Sequence, residues 1–387
     1  MTNAQELSFS IKLFREIVSS PSQGEMSNAV LCPGGVIRLL RALHAGSAGD
    51  TASEIATALA LDPASSPGIK PEPLSPVMKV ASAIWVDPGN PLTPAFQKSV
   101  ARSLGANASE VPLLESPESA RGSINKWVEE NTGGNIKELL KAGDMRDARL
   151  VLTDAAWFND AWAQAFNPQQ SVTDDFTLAD GSKRPVRYVA ARRKASYAKS
   201  ELGEVLLLPF STARYQAMVL LPPLKDGENP GAALQGMQQS LNPSQLAALL
   251  NSQSQAEVEI RLPKLDLKGQ ETDLVPVLKG LGIKSAFGDD ADFSPMCKQG
   301  AELKVGIFKQ SAAFKLDEKG AEASAATVAV VTTKSAKPSD DSVVTFFANR
   351  PCLILVTDTE SRTIPFIVRC AAPAVADGGA SAPVKER

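Results

Sequence analysis

The residue types that most often carry out enzymatic chemistry are scarce in this chain of 387 residues. Its single histidine, His44, lies within the apolar helical pattern LLRALHAGSAG. A Ser-His-Asp triad would have to use this histidine, and such a triad acts only when its three members are placed together. The sequence contains no GxxxxGK[ST] phosphate loop, no HExxH pair and no GxSxG elbow. We therefore expect no catalytic residues, and we expect that the protein is not an enzyme.

The four cysteines are the other candidates for chemistry, and their spacing argues against a metal site. They are Cys32, Cys297, Cys352 and Cys370, and no two of them form a CxxC pair. With one histidine in the chain, a zinc site of the usual Cys/His spacing is excluded. Cysteines beside apolar runs are most often buried thiols, and a functional disulfide is left open. We expect no metal and no cofactor.

The segment from Ala321 to Thr333 has the clearest potential for a conformational function. It includes no proline, no glycine and a single charge, Glu322. Alternate residues of a strand face opposite sides, and one set here is small or apolar throughout: Ala321, Ala323, Ala325, Thr327, Ala329 and Val331. That set could pack within a crowded sheet. Taken alone, the segment is also compatible with an ordinary edge strand or a flexible, alanine-rich connector.

Composition limits the partners that the protein can have. Hydrophobic residues make up 43% and charged residues 21%, so the chain can form a large core. A net charge of -3 does not indicate nucleic-acid binding. No apolar run reaches the roughly 20 residues of a membrane span, so no membrane partner is expected. The N-terminus has no apolar leader. The compartment is left open, since an extracellular or periplasmic location would require that a signal peptide has been removed.

Hydrophobic periodicity predicts the elements that must position these residues. A period near 3.6 dominates the first third of the chain and a period of two dominates the remainder, which is an α+β pattern. Helices are expected at 5–20, 36–45, 50–61, 95–103, 117–130, 230–251 and 272–281, with Asp50 or Thr51 capping the third. Strands are expected at 28–31, 80–86, 150–158, 204–209, 215–221, 256–262, 303–317, 343–347, 352–357 and 363–369. We expect a single domain over 1–373 and a flexible C-terminal tail over 374–387.

Six segments, in order and with matching spacing, resemble the serpin family of serine protease inhibitors, in its prokaryotic-type inhibitory form. The most specific is INKWVEENTGGNIKELL at 124–140. The others are NAVLCPGGVIRLLRALHAGSAGDTASEIATAL at 28–59, VLTDAAWFNDAW at 151–162, VEIRLPKLDL at 258–267, FKLDEKGAEASAAT at 314–327 and FFANRPCLILVTDTESRTIPFIVRCAAP at 346–373. The resemblance implies a serpin fold of the α+β class, with three β-sheets, about nine helices and an exposed reactive-centre loop over about 318–345.

The resemblance also implies a function, the inhibition of a target serine protease. In the family, the protease cleaves the loop, forms an acyl-enzyme and is trapped covalently when the freed strand inserts into the main sheet. The scissile residue lies sixteen positions after the hinge glutamate Glu318, which gives Lys334, followed by Ser335. A lysine suits the acidic specificity pocket of trypsin-like proteases. The expected target is therefore trypsin-like, with insertion of residues 320–334.

Two alternatives stay open. Cleavage near Val331 or Thr333 would direct the inhibitor toward elastase-like proteases. A serpin fold without inhibition would act as a binding or carrier protein. Such members tend to carry bulky or charged hinge residues, whereas this chain has alanine at 321, 323 and 325. The hinge composition favours inhibition, and the expected partner is a protease bound covalently to a monomeric inhibitor.

By resemblance, three groups of residues are assigned roles in loop insertion. The hinge comprises Glu318, Gly320, Ala321, Ala323, Ala325 and Thr327. The breach, where the loop first enters the sheet, comprises Trp162, Lys264 and Glu318, with a charge-assisted contact between the last two. The shutter, in the middle of the sheet, comprises Cys32, Asp154 and Gln310, where the family usually has serine, asparagine and histidine. This departure is chemically coherent, because aspartate accepts the hydrogen bonds that glutamine donates.

A basic run provides a candidate exosite. Residues 181–200 contain seven basic residues and no acid. The run is compatible with a solvated face or with a site for a protease or a polyanion. The candidate residues are Lys183, Arg184, Arg187, Arg192, Arg193 and Lys194.

Overall fold

The computed structural model describes residues 1–19, 26–61, 76–104, 107–297, 303–321 and 343–376. These ranges contain eight α-helices, close to the nine or so that the resemblance implies. The helices are α1 (Asn3–Ser19), α2 (Pro33–Ala45), α3 (Gly49–Ala58), α4 (Pro94–Leu104), α5 (Pro117–Asn131), α6 (Pro230–Ser240), α7 (Pro243–Asn251) and α8 (Leu274–Gly280). None of these described helices has the length and apolarity that a bilayer crossing requires.

Sixteen strands form three sheets within the described ranges. The strands are β1 (Ala29–Leu31), β2 (Met78–Val86), β3 (Asn107–Glu110), β4 (Leu150–Phe158), β5 (Asp160–Ala161), β6 (Val172–Thr177), β7 (Lys183–Ser200), β8 (Gly203–Pro209), β9 (Tyr215–Leu221), β10 (Ser254–Pro263), β11 (Leu265–Asp273), β12 (Ile307–Leu316), β13 (Gly320–Ala321), β14 (Val343–Phe347), β15 (Cys352–Asp358) and β16 (Phe366–Cys370). The mixed α+β class and the three sheets agree with the sequence-based expectation.

Most helix ends lie within three residues of those expected, and two differences have a clear local cause. The helix predicted over 230–251 is two helices, because Pro243 has no N–H to continue α6 and is favoured at the first position of α7. Asn242 caps α7 by accepting a hydrogen bond from the backbone N–H of Gln245 at 3.0 Å. Helix α3 begins at Gly49, one residue before the expected caps. The hydroxyl of Thr51 accepts instead from the backbone N–H of Asp292 at 3.0 Å, which ties α3 to a distant loop.

The five-stranded sheet has the order β11-β12-β4-β2-β3. Its central pair is parallel, with Ile307 of β12 opposite Val151 of β4 and the register continuing to Ala313 opposite Trp157. Strand β2 pairs with the other edge of β4 in antiparallel orientation. Strands β4 and β12 are therefore direct neighbours, with no strand between them.

The two faces of β4 pack against different layers. Leu152 and Phe158, which share one face, belong to cores that also include α2 and the nine-stranded sheet. On the opposite face, Ala155 of β4 and Ala313 of β12 cluster with Val128 of α5. Because successive strand residues face opposite sides, even-numbered residues of β4 face the main core and odd-numbered residues face α5.

The nine-stranded sheet has the order β1-β16-β15-β9-β8-β7-β10-β14, with β6 also paired to β7. Strand β7 is 18 residues long and connects the two halves of this sheet. The closing hairpin predicted at 352–369 is confirmed as β15 and β16, an antiparallel pair. The first residues of the expected tail are held by β7, since the backbone N–H of Ala376 donates to the Pro185 carbonyl at 3.0 Å.

Candidate functional site

The end of the β4–β12 pairing forms the first part of the site. Strand β4 ends at Phe158, and the chain then forms the short strand β5, which pairs with β13 in a two-stranded antiparallel sheet. In this sheet Gly320 lies opposite Ala161 and Ala321 lies opposite Asp160. The residues that follow β12 thus already run antiparallel to the continuation of β4.

Glu318, just after β12, carries a carboxylate that two neighbouring side chains contact. Its carboxylate lies 2.5 Å from the Nζ atom of Lys264, and its side chain is only 12% exposed. The hydroxyl of Ser171 donates a second hydrogen bond to the same carboxylate. Burial opposes the charge, but the hydrogen bonds from Lys264 and Ser171 outweigh it and hold the pKa of Glu318 below its usual value. The side chain is therefore ionised and fixed at neutral pH.

Trp162 holds the turn that precedes β13. Its indole Nε1 donates to the Asp317 carbonyl at 2.9 Å, and its backbone N–H donates to the Lys319 carbonyl at 2.8 Å. The indole also stacks on Phe210, with ring centroids 4.6 Å apart. The structure thus places the three expected breach residues, Trp162, Lys264 and Glu318, around one turn, and it adds Ser171, which the sequence did not indicate.

The positions of Gly320 and Ala321 leave little room for a larger side chain. A Cβ atom on Gly320 would lie 2.3 Å from the Asp160 carbonyl oxygen, and its φ of +151° is rare for other residues. Ala321 is fully buried. Opposite it, the Asp160 carboxylate accepts hydrogen bonds from the hydroxyls of Ser211 at 2.7 Å and Thr212 at 2.6 Å. A larger or negatively charged side chain at position 321 would face a buried carboxylate.

The second part of the site lies at the middle of the five-stranded sheet, where Gln310 of β12 is directly opposite Asp154 of β4. The Gln310 amide donates to the Asp154 carboxylate at 2.6 Å and to the Cys32 carbonyl at 2.8 Å. Its own oxygen accepts from the Cys32 backbone N–H at 3.0 Å. The three expected shutter residues are thus brought together, with Cys32 contributing its backbone N–H and carbonyl.

Asp154 is a fully buried carboxyl group at the centre of this network. Burial raises its pKa, although hydrogen bonds from Ser82 and Gln310 and the positive charge of Arg38 act in the opposite direction. The Ser82 hydroxyl donates at 2.6 Å, a contact that the sequence did not reveal. A Cβ atom on Gly35 of α2 would lie 2.1 Å from the carboxylate oxygens, so glycine is required there.

Asp154→Asn is expected to stabilise the uncleaved protein at neutral pH. Because burial raises the folded-state pKa, the stability that Asp154 contributes is fully present below its unfolded pKa, about 3.9. That contribution is lost as pH rises through the folded-state pKa. Asparagine does not ionise and still accepts from Gln310. The difference in thermal midpoint between variant and wild type should widen as pH rises above about 4, by roughly 2 °C for each kcal/mol.

Exposed Asp226 supplies the matched control, because Asp226→Asn removes one carboxylate without touching the sheet. Differential scanning calorimetry of the three proteins across the pH range makes the comparison. A difference between Asp154→Asn and wild type that stays constant with pH would show that Asp154 does not titrate in the folded protein.

The basic run of 183–194 lies on β7, and its six candidate residues do not form one exposed surface. Lys183, Arg187, Arg192 and Lys194 are exposed. Arg193 is half-buried, with its guanidinium 4.3 Å from the centre of the Phe166 ring, and burial lowers its pKa to about 10. Arg184, the sixth, is half-buried.

Acids absent from the run are supplied by the neighbouring strand β10. Glu257 lies opposite Lys194 and Glu259 lies opposite Arg192, and Arg192 is 3.6 Å from the Glu257 carboxylate. The surface around Arg192 and Lys194 is therefore of mixed charge.

Several expected site residues lie outside the described part of the chain. These are the reactive-bond residues Lys334 and Ser335, the hinge residues Ala323, Ala325 and Thr327, and the alternative bait positions Val331 and Thr333. Of the expected hinge, the structure describes Glu318, Gly320 and Ala321.

The single histidine and the four cysteines do not form a catalytic or metal-binding cluster among the described residues. His44 lies near the end of α2, where burial and then Arg41 lower its pKa. Among the described residues, no group of three or more histidine, cysteine, aspartate or glutamate side chains could hold a metal ion. All four cysteines are buried free thiols. Cys352 and Cys370 lie directly opposite each other on β15 and β16.

Comparison with protein-family models gives a match over nearly the whole sequence. The family model described as serpin (serine protease inhibitor) matches residues 4–373. Among curated proteins, wheat (Triticum aestivum) serpin-Z2B is 28% identical, covering 94% of this chain and 94% of its own length. Leukocyte elastase inhibitor of pig (Sus scrofa) is 27% identical, covering 96% of this chain and 99% of its own length.

Solved structures share the fold. Human thyroxine-binding globulin complexed with thyroxine superposes with a TM-score of 0.83 and 18% identity, covering 96% of this chain and 98% of its own. Native protease nexin-1 with heparin superposes with a TM-score of 0.81 and 21% identity, covering 96% of this chain and 99% of its own.

Proposed function

The chain belongs to the serpin family, and we propose that it inhibits trypsin-like serine proteases as a single-use conformational trap rather than acting as an enzyme. The serine of the protease would attack the Lys334 carbonyl, forming an ester and releasing the amine of Ser335. The segment ahead of Lys334 would then insert into the five-stranded sheet between β4 and β12. The protease, tethered through the ester, would be carried along and distorted before water completes hydrolysis.

The observation that carries this proposal is the short antiparallel pairing of β13 with β5. Its register, Ala321 opposite Asp160, can be continued along β4. Each step along the inserting strand would then move one residue back along β4, which gives Ala323 opposite Phe158 and Thr327 opposite Asp154. The two-stranded sheet of β13 and β5 therefore already contains the first two residue pairs of the proposed insertion.

This register also accounts for the alternation of residue size in the segment. Odd-numbered loop residues would share the face of even-numbered β4 residues, which is the face packed into the main core. Those loop residues are alanine, threonine or valine, as a crowded core requires. Glu322 would lie on the opposite face. Thr327 would bring a hydroxyl to Asp154 and Gln310 when these two residues are separated by the new strand.

Lys334→Ala is expected to abolish the inhibition of trypsin-like proteases, with at least about a hundredfold loss in association rate constant, or about 2.7 kcal/mol. The reason is that the acidic specificity pocket would no longer have a cation to bind. Wild-type protein should form a complex with trypsin that survives denaturing electrophoresis, and sequencing of the released fragment should begin at Ser335. A fragment beginning near Thr332 or Lys334, together with trapping of elastase, would replace this assignment with the elastase-like alternative.

Polyanion binding through the exposed cations of β7 is a second element of the proposal. It is supported by Lys183, Arg187 and Lys194, all exposed, and by the similarity in fold to protease nexin-1, which was solved with heparin. We expect heparin to accelerate protease trapping about tenfold at low ionic strength and to lose this effect at high salt. We expect only this modest acceleration because the negative charges of Glu257 and Glu259 on β10 lie beside the cations of β7.

The polyanion experiment measures second-order trapping rates with and without heparin at two salt concentrations. The triple substitution K183Q, R187Q and K194Q should remove the acceleration but leave the rate without heparin unchanged. If heparin has no effect on wild-type protein at low salt, the basic run is a solvated surface.

A carrier function is the second candidate, and one cavity favours it. The cavity has a volume of about 690 Å³, within the range of small-molecule sites. It lies between α1, α7 and the β15–β16 connection, and its apolar lining includes Leu7, Leu207, Leu246 and Leu250. The human globulin of the same fold was solved with thyroxine. Saturable binding of thyroxine, lost on filling the cavity by Ala247→Trp, together with failure to trap any protease, would favour the carrier function.

A further inference from the structure

The two cysteines of the closing hairpin are placed together by the pairing of its strands. Cys352 begins β15 and Cys370 ends β16, and the two residues lie directly opposite each other in the antiparallel register. Opposite residues of an antiparallel pair have Cα atoms about 4.5–5.5 Å apart. This separation lies within the range of about 4.4–6.8 Å that disulfides span. The backbone of the hairpin therefore holds the two cysteines at a separation that a disulfide can bridge.

The two side chains also point to the same side of the sheet. Opposite residues of paired strands share a face, and Cys352 and Cys370 pack into the same core, each 0% exposed. Burial, and then a hydrogen bond with the Cys352 side chain, raise the pKa of the Cys370 thiol. The two thiols are thus in contact within the core.

The other two cysteines have no cysteine opposite them in the strand pairing. Cys32 lies just beyond β1, whose last residue, Leu31, is opposite Ile367 of β16. Cys297 forms an isolated antiparallel bridge with Leu92. All four cysteines lie in the described part of the chain, and the strand register makes one cross-strand pair of them.

Burial determines when this pair can react. The thiolate is the species that attacks a disulfide, and Arg184 on β7 favours the thiolate of Cys370 through its positive charge. In the folded protein burial outweighs this effect and also keeps oxidants away from both sulfur atoms. The thiols are open to an oxidant while the chain folds, before the core covers the hairpin.

We propose that Cys352 and Cys370 form a disulfide when the chain folds in an oxidising environment, with glutathione disulfide or a similar disulfide as the oxidant. One cysteine thiolate attacks a sulfur atom of the oxidant, which gives a mixed disulfide and releases one glutathione. The second cysteine thiolate attacks the protein sulfur of the mixed disulfide and releases the second glutathione. The two protons lost by the cysteines are taken up by the two glutathione thiolates, so two protein thiols are oxidised and one glutathione disulfide is reduced.

The bond would make the stability of the protein depend on where it folds. It would close a loop of about 18 residues, which restricts the unfolded chain and so favours the folded state. Once the core has formed, burial would protect the bond from reductants. In a reducing compartment the same two cysteines would stay as thiols.

Refolding of the full chain in glutathione buffers tests the proposal. The protein is unfolded and reduced, then refolded either with glutathione disulfide in excess or with dithiothreitol. Thiol counting under denaturing conditions should show that the oxidised wild type has lost two of its four thiols. Peptide mapping should find Cys352 joined to Cys370. The thermal midpoint of the oxidised protein should exceed that of the reduced protein by roughly 6 °C.

Cys352→Ala and Cys297→Ala are matched variants, because each removes one buried thiol and the first alone breaks the pair. The midpoint of Cys297→Ala should still rise by roughly 6 °C on oxidation, whereas that of Cys352→Ala should not change. Each variant is compared with itself in the two buffers, so any loss of core packing cancels. If Cys352→Ala does not fold, Cys370→Ala and the peptide map of the wild type provide the same test.

Three outcomes would overturn the proposal. In the first, the wild type refolded with excess glutathione disulfide keeps all four thiols. In the second, the mapped bond joins a different pair of cysteines. In the third, the bond forms between Cys352 and Cys370 but the midpoint does not rise, which would show that the folded hairpin does not accommodate it. Protease trapping is not a readout, so the result is independent of the proposed inhibitory function.

Discussion

Cleavage of the chain after Lys334 is expected to raise its thermal unfolding midpoint by roughly 20 °C. The freed segment would gain about ten ladder hydrogen bonds at about 1 kcal/mol each, and a domain of this size gains about 2 °C for each kcal/mol. Before cleavage the segment cannot insert along its length, because its two ends belong to different sheets. Ala321 is paired in β13, and Val343 begins β14 at the edge of the nine-stranded sheet.

Calorimetry of the intact and trypsin-cleaved proteins measures this difference directly. A matched control is an engineered cleavage site in the segment 62–75, whose cutting should leave the midpoint equal or lower. Should cleavage after Lys334 bring no rise, the five-stranded sheet does not accept the segment, and the carrier function would become the better proposal.

Ala321→Glu is expected to convert the inhibitor into a substrate of the same protease. Position 321 is fully buried and directly opposite Asp160, whose carboxylate is itself buried. A second carboxylate there would oppose the first pairs of the insertion by like-charge repulsion and desolvation. Since about 1.4 kcal/mol added to a barrier slows a step tenfold, insertion would fall behind hydrolysis. Denaturing gels should show cleaved chain and free, active protease instead of a covalent complex.

Ala321→Ser is the matched control, because serine remains small and uncharged and should preserve trapping. The serine variant also tests whether any change at this position is disruptive. Covalent complex formed by Ala321→Glu with wild-type yield would contradict the proposed point of insertion.

Much of the fold can be predicted from hydrophobic patterns along the sequence. The hairpin of β15 and β16 is predictable because each strand contains a short apolar run, LILV in the first and FIV in the second, and the polar turn TESRT separates them. The hydrophobic pattern does not predict the break between α6 and α7, because the apolar residues of the two helices continue one helical pattern through Pro243. Proline has no backbone N–H to donate to the preceding turn, and this ends α6 although the hydrophobic pattern continues.

The candidate site was predictable only at positions that could be aligned with the family through the neighbouring motifs. The resemblance pointed to Asp154 and Gln310, but Ser82, which donates to Asp154, lies on a strand that pairs with β4 from far along the chain. Ser171 beside Glu318 and Asp160 opposite Ala321 are similar cases. A hydrogen-bond partner at long sequence separation leaves no local signal, because its position depends on how strands are paired.

Surface charge is also hard to predict from the sequence, and the basic run of residues 181–200 is an example. Residues 181–200 contain no acid, yet β10 places Glu257 and Glu259 directly opposite Lys194 and Arg192. Charge along a strand is therefore a poor guide to charge across a sheet, where direct neighbours come from another part of the chain.

In the proposed mechanism, the packing of α5 over the β4–β12 seam would set how fast the cleaved segment inserts. Val128 of α5 touches a cluster with members from both sides of the seam, Ala155 and Ala313. These contacts would have to be released before the two strands could separate. Water can hydrolyse the acyl-enzyme during this delay. The ratio of the insertion rate to the hydrolysis rate would therefore decide how many inhibitor molecules are consumed for each protease arrested. Substitutions at Val128 would then alter the stoichiometry of the reaction without altering which protease is recognised.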